Sequence, residues 1–203
     1  MSNRDTHYFV QSVPNYKDLL FFRKSVALYD VTFAFCERYL TKGDRTIDQM
    51  VQAARSGKQN IIEGSEAAPT SSETEIKLLN VARASLKELQ ADYEDYLRAR
   101  KMTMWDEKHV RYEGLRKFCR ETNDSEAYMG QIERMNDEEI ANMAITMCHQ
   151  VDVMMTKYIG VKEREFVENG GIREAMTRAR LQYRQMNINR NGIRENGRRE
   201  KEI

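Results

Sequence analysis

From Leu19 to Leu40 the apolar residues Leu19, Phe22, Val26, Tyr29, Phe33, Cys36 and Leu40 fall at alternating spacings of three and four, the rhythm of a helix that buries one stripe. The rhythm returns at Ile47, Met50, Ala54, Gly57 and Ile61. It returns again at Leu79, Ala82, Leu86, Leu89, Tyr93 and Tyr96, and at Ile140, Ala144, Met147, Val151, Met154 and Tyr158. Only two prolines, Pro14 and Pro69, interrupt 203 residues, so long helices meet few breaks. Four stripes on short connectors predict an all-α chain, an antiparallel left-handed four-helix bundle over residues 16–160.

The first helix is expected from about Tyr16 to Leu40. Gly43 then breaks the chain, Asp44 or Thr46 caps the second helix, and Gly64 reads as its C-cap. The connector "AAPTSSETE" ends in a capping box, with Ser72 reaching the amide of Glu75 and the Glu75 side chain reaching back. The third helix runs to about Arg100, and Asn136 caps the fourth, with three acidic residues suiting the positive helix end. Residues 105–128 form an inserted segment, helical from Asp106 to Glu121. Its weak stripe of Val110, Leu115, Phe118 and Cys119 suits packing across one end of the bundle. Beyond Gly160 come a helical suffix, 161–186, broken at Gly170 and Gly171, and a basic tail, 187–203, expected to be disordered in isolation.

Apolar residues make up 40% of the chain and charged residues 32%; no window approaches the roughly 20 apolar residues of a membrane span. The N-terminus is polar where a secretory signal needs an apolar core, so a soluble, cytoplasmic protein with no membrane partner is expected. Cys36, Cys119 and Cys148 are odd in number and widely spaced, which fits reduced, mostly buried thiols better than a disulfide framework or a zinc knuckle. The net charge of +1 conceals an asymmetry. Nine Lys/Arg against four Asp/Glu lie from Gly171 onward, a surplus of five, while residues 1–170 hold 24 against 28. A polyanion would meet the C-terminal part first.

Catalytic chemistry has no support in the residues. A di-iron bundle needs two Glu-x-x-His motifs and two further glutamates, whereas Asp106 and His109 make a single Asp-x-x-His. Cys148 and His149 are neighbours that diverge by about 100° on a helix, so they do not share a metal with Asp152. His7 stands in the N-terminal stretch, and neither a nucleophile elbow nor a phosphate-cradling glycine loop occurs. No catalytic residue, metal site or cofactor is assigned, and Met147 and Met154 read as core. For nucleic acid the candidates are Arg173, Arg178, Arg180 and Arg184, of which Arg173, Arg180 and Arg184 fall at spacings of seven and four on one helical face with Tyr183 as a stacking surface, followed by Arg190, Arg194, Arg198 and Arg199. The bland alternative is a solvated helix and tail.

Two further features ask for partners. Leu20, Phe21, Leu28, Val31 and Phe35 lie off the first stripe, more apolar side chains than one seam buries, and point to a homo-oligomeric interface. The run Asn60-Ile61-Ile62-Glu63-Gly64 puts a carboxylate beside what reads as a helix stop, where the helix dipole disfavours it by roughly 0.3–1 kcal/mol. An antiparallel hairpin brings Glu63 to the start of the third helix, around Glu73 to Lys77. Free amides or the Lys77 ammonium would satisfy it there, so Glu63 reads as a latch on the connector, with Asn60 on its face and a ligand site as the alternative.

The stretch "QMVQAARSGKQNIIEGSEA" followed by "IKLLNVARASLKELQADYEDYL" resembles the four-helix-bundle protein family that includes proteins encoded in intervening sequences of bacterial large-subunit ribosomal RNA genes and the accessory proteins of diversity-generating retroelements. The shared motifs are Asn60, Ile61, Glu63 and Gly64 at the end of the second helix, then Ala82, Ser85, Glu88 and Leu89 on the third. The remainder is similar to the longer branch with a four-helix-bundle suffix domain. Two positions depart from the family pattern: Lys58 stands where relatives often carry a proline, and Gln52 where they often carry an arginine. The resemblance implies a small homo-oligomer, a pentamer, and for the retroelement proteins binding of RNA or DNA and of a reverse transcriptase. The function expected is a non-enzymatic, oligomeric, nucleic-acid-associated accessory or scaffold protein, with a protein–protein assembly module as the alternative. Arg55 and Lys58, beside the first motif, are the second candidate contact for nucleic acid.

Overall fold

Local signals place the helices. The computed structural model of the chain describes residues 15–199, with side chains to residue 188. Asn15 caps a short 3-10 turn, Tyr16–Asp18, ahead of α1, Leu20–Tyr39, so the first helix opens four residues later than its stripe predicts. Gly43 turns the chain at φ 93°, and the Asp44 carboxylate then accepts from the Thr46 amide at 2.9 Å to open α2, Arg45–Ala67. Ser71, rather than Ser72, caps α3, Ser72–Ala99, by accepting from the Thr74 amide at 3.1 Å. The remaining elements are α4, Tyr112–Glu121, α5, Ser125–Ile132, α6, Asp137–Asn169, and α7, Ile172–Arg199. Asn136 and Glu139 make a full capping box at the start of α6, where the acidic first turn matches the helix dipole.

Gly64 is not a helix stop. α2 runs a further turn to Ala67, and Gly64 lies against α3, where an added Cβ would stand 3.4 Å from the Glu75 carbonyl and from Leu78 Cβ. Gly57 sits tighter still, with Leu86 Cδ2 2.4 Å from the position a Cβ would take. The two glycines let the helix backbones approach closely. The pairing of Gly57 with Leu86 and of Gly64 with Leu79 makes α2 and α3 antiparallel.

α1 packs on α2 and α6, and α3 packs on α2 and α6, so the core lies among these four helices. The stripes of α2, α3 and α6 face it much as their spacing predicts, through residues such as Met50, Ile61, Leu86, Leu89, Ile140 and Met147. α1 does not. Its buried face holds Phe21, Leu28, Val31 and Phe35, four of the five residues that the sequence assigns to an oligomer interface, with Leu20 alone of the five exposed; of the expected stripe Cys36 is buried, Phe22, Val26 and Tyr29 are half-buried and Phe33 is 46% exposed. The reason is Lys24, which is 1% exposed. Its Nζ donates to the Cys119 carbonyl, to the Thr122 carbonyl at 2.9 Å, to Tyr128 Oη at 3.1 Å and to Gln150 Oε1 at 3.0 Å. Burial pulls the Lys24 ammonium down to about 8.

These acceptors belong to α6 and to the α4–α5 pair, with α5 packed on α1 and α4 on α6. The inserted segment departs from expectation. Residues 102–111 are not helical, because buried Asn142 holds them: its Nδ2 donates to the Thr103 carbonyl at 2.9 Å, and its Oδ1 accepts from the Trp105 amide at 2.7 Å. α5, capped by Asp124, is an extra helix that the weak periodicity did not reveal. At the other end α6 continues past Gly160 to Asn169, and α7 continues through residue 187, where a disordered tail is expected, to Arg199. No proline interrupts that run, so the helical register persists. Among the described residues no helix is long and apolar enough to cross a membrane.

The glycines of α2 and α6 give opposite expectations. Gly57→Ala must displace buried Leu86, and overpacking at about 1–3 kcal/mol outweighs the roughly 1 kcal/mol of helix propensity gained. Its urea midpoint should fall. Among the described residues Gly160→Ala meets nothing within 4 Å, and it should add about 0.5–1 kcal/mol of stability and so raise the midpoint. Equal midpoints for Gly57→Ala and the parent chain would show that α2 and α3 do not approach this closely.

Candidate nucleic-acid interface

Gly170 ends α6 at φ 71°, and the Gly171 amide donates to Glu174 Oε2 at 2.9 Å, which opens α7. Across the break Arg178 donates to the Asn169 carbonyl. Gly171, Ala175 and Arg178 line a shallow cleft with Pro69 and Ser71 of the α2–α3 connector. Farther along, α7 is an arm: Met176 is 45% exposed, Tyr183 68% and Met186 64%. Ile172, Ala175 and Ala179 are half-buried, so what contact α7 has with the body lies in its first turns.

Arg173, Arg180 and Arg184 are all exposed on this arm, and among the described residues none of them enters an ion pair. Spacings of seven and four set them along one side of the helix, within about 40° of arc, with Tyr183 nearby on an adjoining face. The backbone of Arg190, Arg194, Arg198 and Arg199 is helical, and their side chains lie outside the described residues. Arg55 is exposed on α2, and Lys58 is half-buried with its Nζ 4.1 Å from the centre of the Tyr29 ring. Twelve residues, about 18 Å of helix, separate Arg55 from the end of α2, so the structure does not join the two basic groups into one surface.

The motif residues divide. Asn60 Nδ2 donates to the Ser56 carbonyl at 2.9 Å and to Ser56 Oγ at 3.2 Å, and Ser56 Oγ bonds Ser85 Oγ at 3.0 Å. Asn60 and Ser85 are thus joined across α2 and α3. Glu88 is exposed. Glu63 is exposed too, and among the described residues it accepts only from Gln59 Nε2, at 3.3 Å. The latch assigned to it fails because α2 continues for another turn, which leaves Glu63 inside the helix on the solvent side, away from the start of α3.

The buried carboxylate at this end is Glu75, 2% exposed, which accepts from Tyr158 Oη at 2.9 Å with Lys162 Nζ at 4.0 Å. Burial pushes its carboxyl up from the ordinary 4.5, and Lys162 and the Tyr158 bond oppose that. The sequence carried a signal for it, since Glu75 continues the Leu79, Ala82, Leu86 stripe backward by four residues. The capping-box reading diverted it.

The groups weighed for metal or thiol chemistry are dispersed. Cys148 is buried and His149 exposed, while Asp152 Oδ1 accepts from Arg83 Nε at 2.8 Å. His109 stacks on Trp105 with ring centres 4.2 Å apart, and Asp106 accepts from the Lys108 amide. Among the described residues no cluster of three or more His, Cys, Asp or Glu could hold a metal. All three thiols are buried, and burial raises Cys36 to about 12 and Cys119 to about 11, which keeps them protonated and weakly nucleophilic.

Glu75 gives a pH signature. Its folded pKa lies above its unfolded one, so its contribution to stability is complete below about 4.5 and declines as pH rises through the folded value. Glu75→Gln, which keeps an acceptor for Tyr158, should gain on the parent chain in melting temperature between about pH 4 and pH 7. A difference that moves the other way would mean that Lys162 holds the carboxyl low. Glu63→Gln should stay within about 0.5 kcal/mol of the parent. No protein-family model, no curated protein and no solved structure matches the chain.

Proposed function

We propose that this chain is a non-enzymatic, oligomeric scaffold that associates with nucleic acid through α7. The observation that carries the reading is the row of Arg173, Arg180 and Arg184, exposed and outside any ion pair among the described residues, on a helix that leaves the body. Guanidinium groups on one side of a straight rod meet successive phosphates without cost to the core. Tyr183, 68% exposed, offers a ring to an unstacked base. The body is read as an antiparallel, left-handed four-helix bundle of α1, α2, α3 and α6, in keeping with the resemblance to the intervening-sequence and retroelement accessory proteins. Its buried thiols and dispersed titratable groups favour a structural role over a catalytic one.

The same resemblance supports self-association, as a pentamer, and a reverse transcriptase as a protein partner. The first helix adds little to it, since Phe21, Leu28, Val31 and Phe35 are core and only Leu20 of that set stays exposed. A second reading, an assembly module that does not touch nucleic acid, draws on the exposed apolar side chains of α7.

Salt separates the two. Binding to labelled single-stranded RNA and duplex DNA, followed by fluorescence polarisation, should weaken linearly in log–log form as salt rises. Replacing Arg173, Arg180 and Arg184 together with Gln should lower that slope by about 2–3. Binding that is absent, or flat with salt, favours the assembly module. Binding that survives the triple replacement moves the contact to the body, with Arg55 and Lys58 first in line.

A further inference from the structure

Five of the fourteen large apolar side chains exposed among the described residues sit on α7. Three of them, Met176, Tyr183 and Met186, share one line with half-buried Ile172 and Ala179, at spacings of four, three, four and three, the 3.5-residue repeat of a coiled-coil seam; Leu181 and Ile188 lie on the opposite side of the helix. α1 to α6 leave most of that seam uncovered, with Met176 45%, Tyr183 68% and Met186 64% exposed. A seam of this period fits the knobs and holes of another helix.

We propose that the seam pairs with α7 of a second copy of this chain in a parallel, in-register coiled coil. Charge placement selects that occupant. With Met176 and Tyr183 at a and Ile172, Ala179 and Met186 at d, the e positions are Arg173 and Arg180 and the g positions are Ala175 and Gln182. In a parallel pair e faces the preceding g, so Arg180 meets Ala175 and Arg173 lies before the first g of α7. In an antiparallel pair e faces e, and arginine would oppose arginine. An acidic partner helix would be matched by cations on one flank only. Ala175 and Ala179 add little bulk and let the two helices come close. Arg184, at b, and Arg178, at c, stay on the outside of the pair.

Fifteen residues of seam span about 22 Å and bury on the order of 1,000 Å² over both partners, near the lower limit of a specific contact. The pairing is therefore concentration-dependent and strengthened wherever the bodies are already held together. Four arginines against Glu174 in the described part of α7 make the arms repel at low salt, so added salt strengthens the pairing. That sign is opposite to the one for nucleic-acid binding, and the pairing stands whether or not nucleic acid is bound.

The test is disulfide trapping in the full chain, whose own thiols are buried. Single cysteines at Ala179, Met186 or Leu181 are oxidised mildly at several salt concentrations, with and without a short RNA. Ala179→Cys and Met186→Cys, at d, should form at least about tenfold more covalent dimer than Leu181→Cys, at f on the far side of the helix. The yield should rise up to about 0.5 M salt. In sedimentation, Met176→Glu with Tyr183→Glu should weaken association at least about tenfold without shifting the melting temperature, because neither side chain is in the core. Equal trapping at all three positions would overturn the pairing, as would no trapping at any. A mixed Ala179–Met186 disulfide formed when the two variants are combined, in preference to the like pairs, would show a different register. Loss of the d-position dimer on adding RNA would assign the seam to nucleic acid.

Discussion

An ammonium taken out of water costs several kcal/mol unless acceptors meet its protons, and around Lys24 half of those acceptors are backbone carbonyls. The Cys119 and Thr122 carbonyls, Tyr128 Oη and Gln150 Oε1 enclose it, without a carboxylate. Moving any of them would strand a buried charge, so α1, α6 and the α4–α5 pair are held in one arrangement. That arrangement turns α1 until Phe21, Leu28, Val31 and Phe35 face inward. The Gly57 and Gly64 contacts with α3 complete the body from the other side. α6 then runs on to Asn169 and carries α7 away from it.

How much of this the sequence shows depends on whether a helix face is purely apolar. α3 and α6 were legible because their stripes contain no charge over the decisive turns. α1 was misread because its true seam, Phe21, Lys24, Leu28, Val31 and Phe35, has the same three-four rhythm with a lysine in it, and a lysine in a stripe reads as solvent. Only the fold supplies the carbonyls that make Lys24 tolerable. Glu75 hid in the same manner, a carboxylate in register with Leu79 whose partners Tyr158 and Lys162 lie more than 80 residues away. The insert was illegible for a related reason: Asn142 holds residues 102–111 by bonds that no periodicity encodes.

The candidate site was legible in part. Spacing alone placed Arg173, Arg180 and Arg184 on one side of a helix, since it depends on the backbone and not on neighbours. It could not say whether the apolar side of that helix was covered, because covering is a property of whatever packs there. The structure leaves Tyr183 and Met186 open beside the arginines. One helix thus presents a cationic edge and an apolar edge, two surfaces that different partners can use at once. Glu63, beside the glycine that ends the Asn60–Gly64 run, is on the surface, whereas Asn60 and Ser85 tie α2 to α3 through Ser56.

Hydrogen exchange over the full chain, with and without a short RNA, bears most directly on the division between a held body and a working arm. If α7 makes the contact, its amides beyond the first turns exchange quickly in the free protein at concentrations too low for the arms to pair and slow on RNA binding, while α1, α3 and α6 stay protected in both states. New protection around Arg55 and Lys58 on α2, with α7 unchanged, would contradict that division.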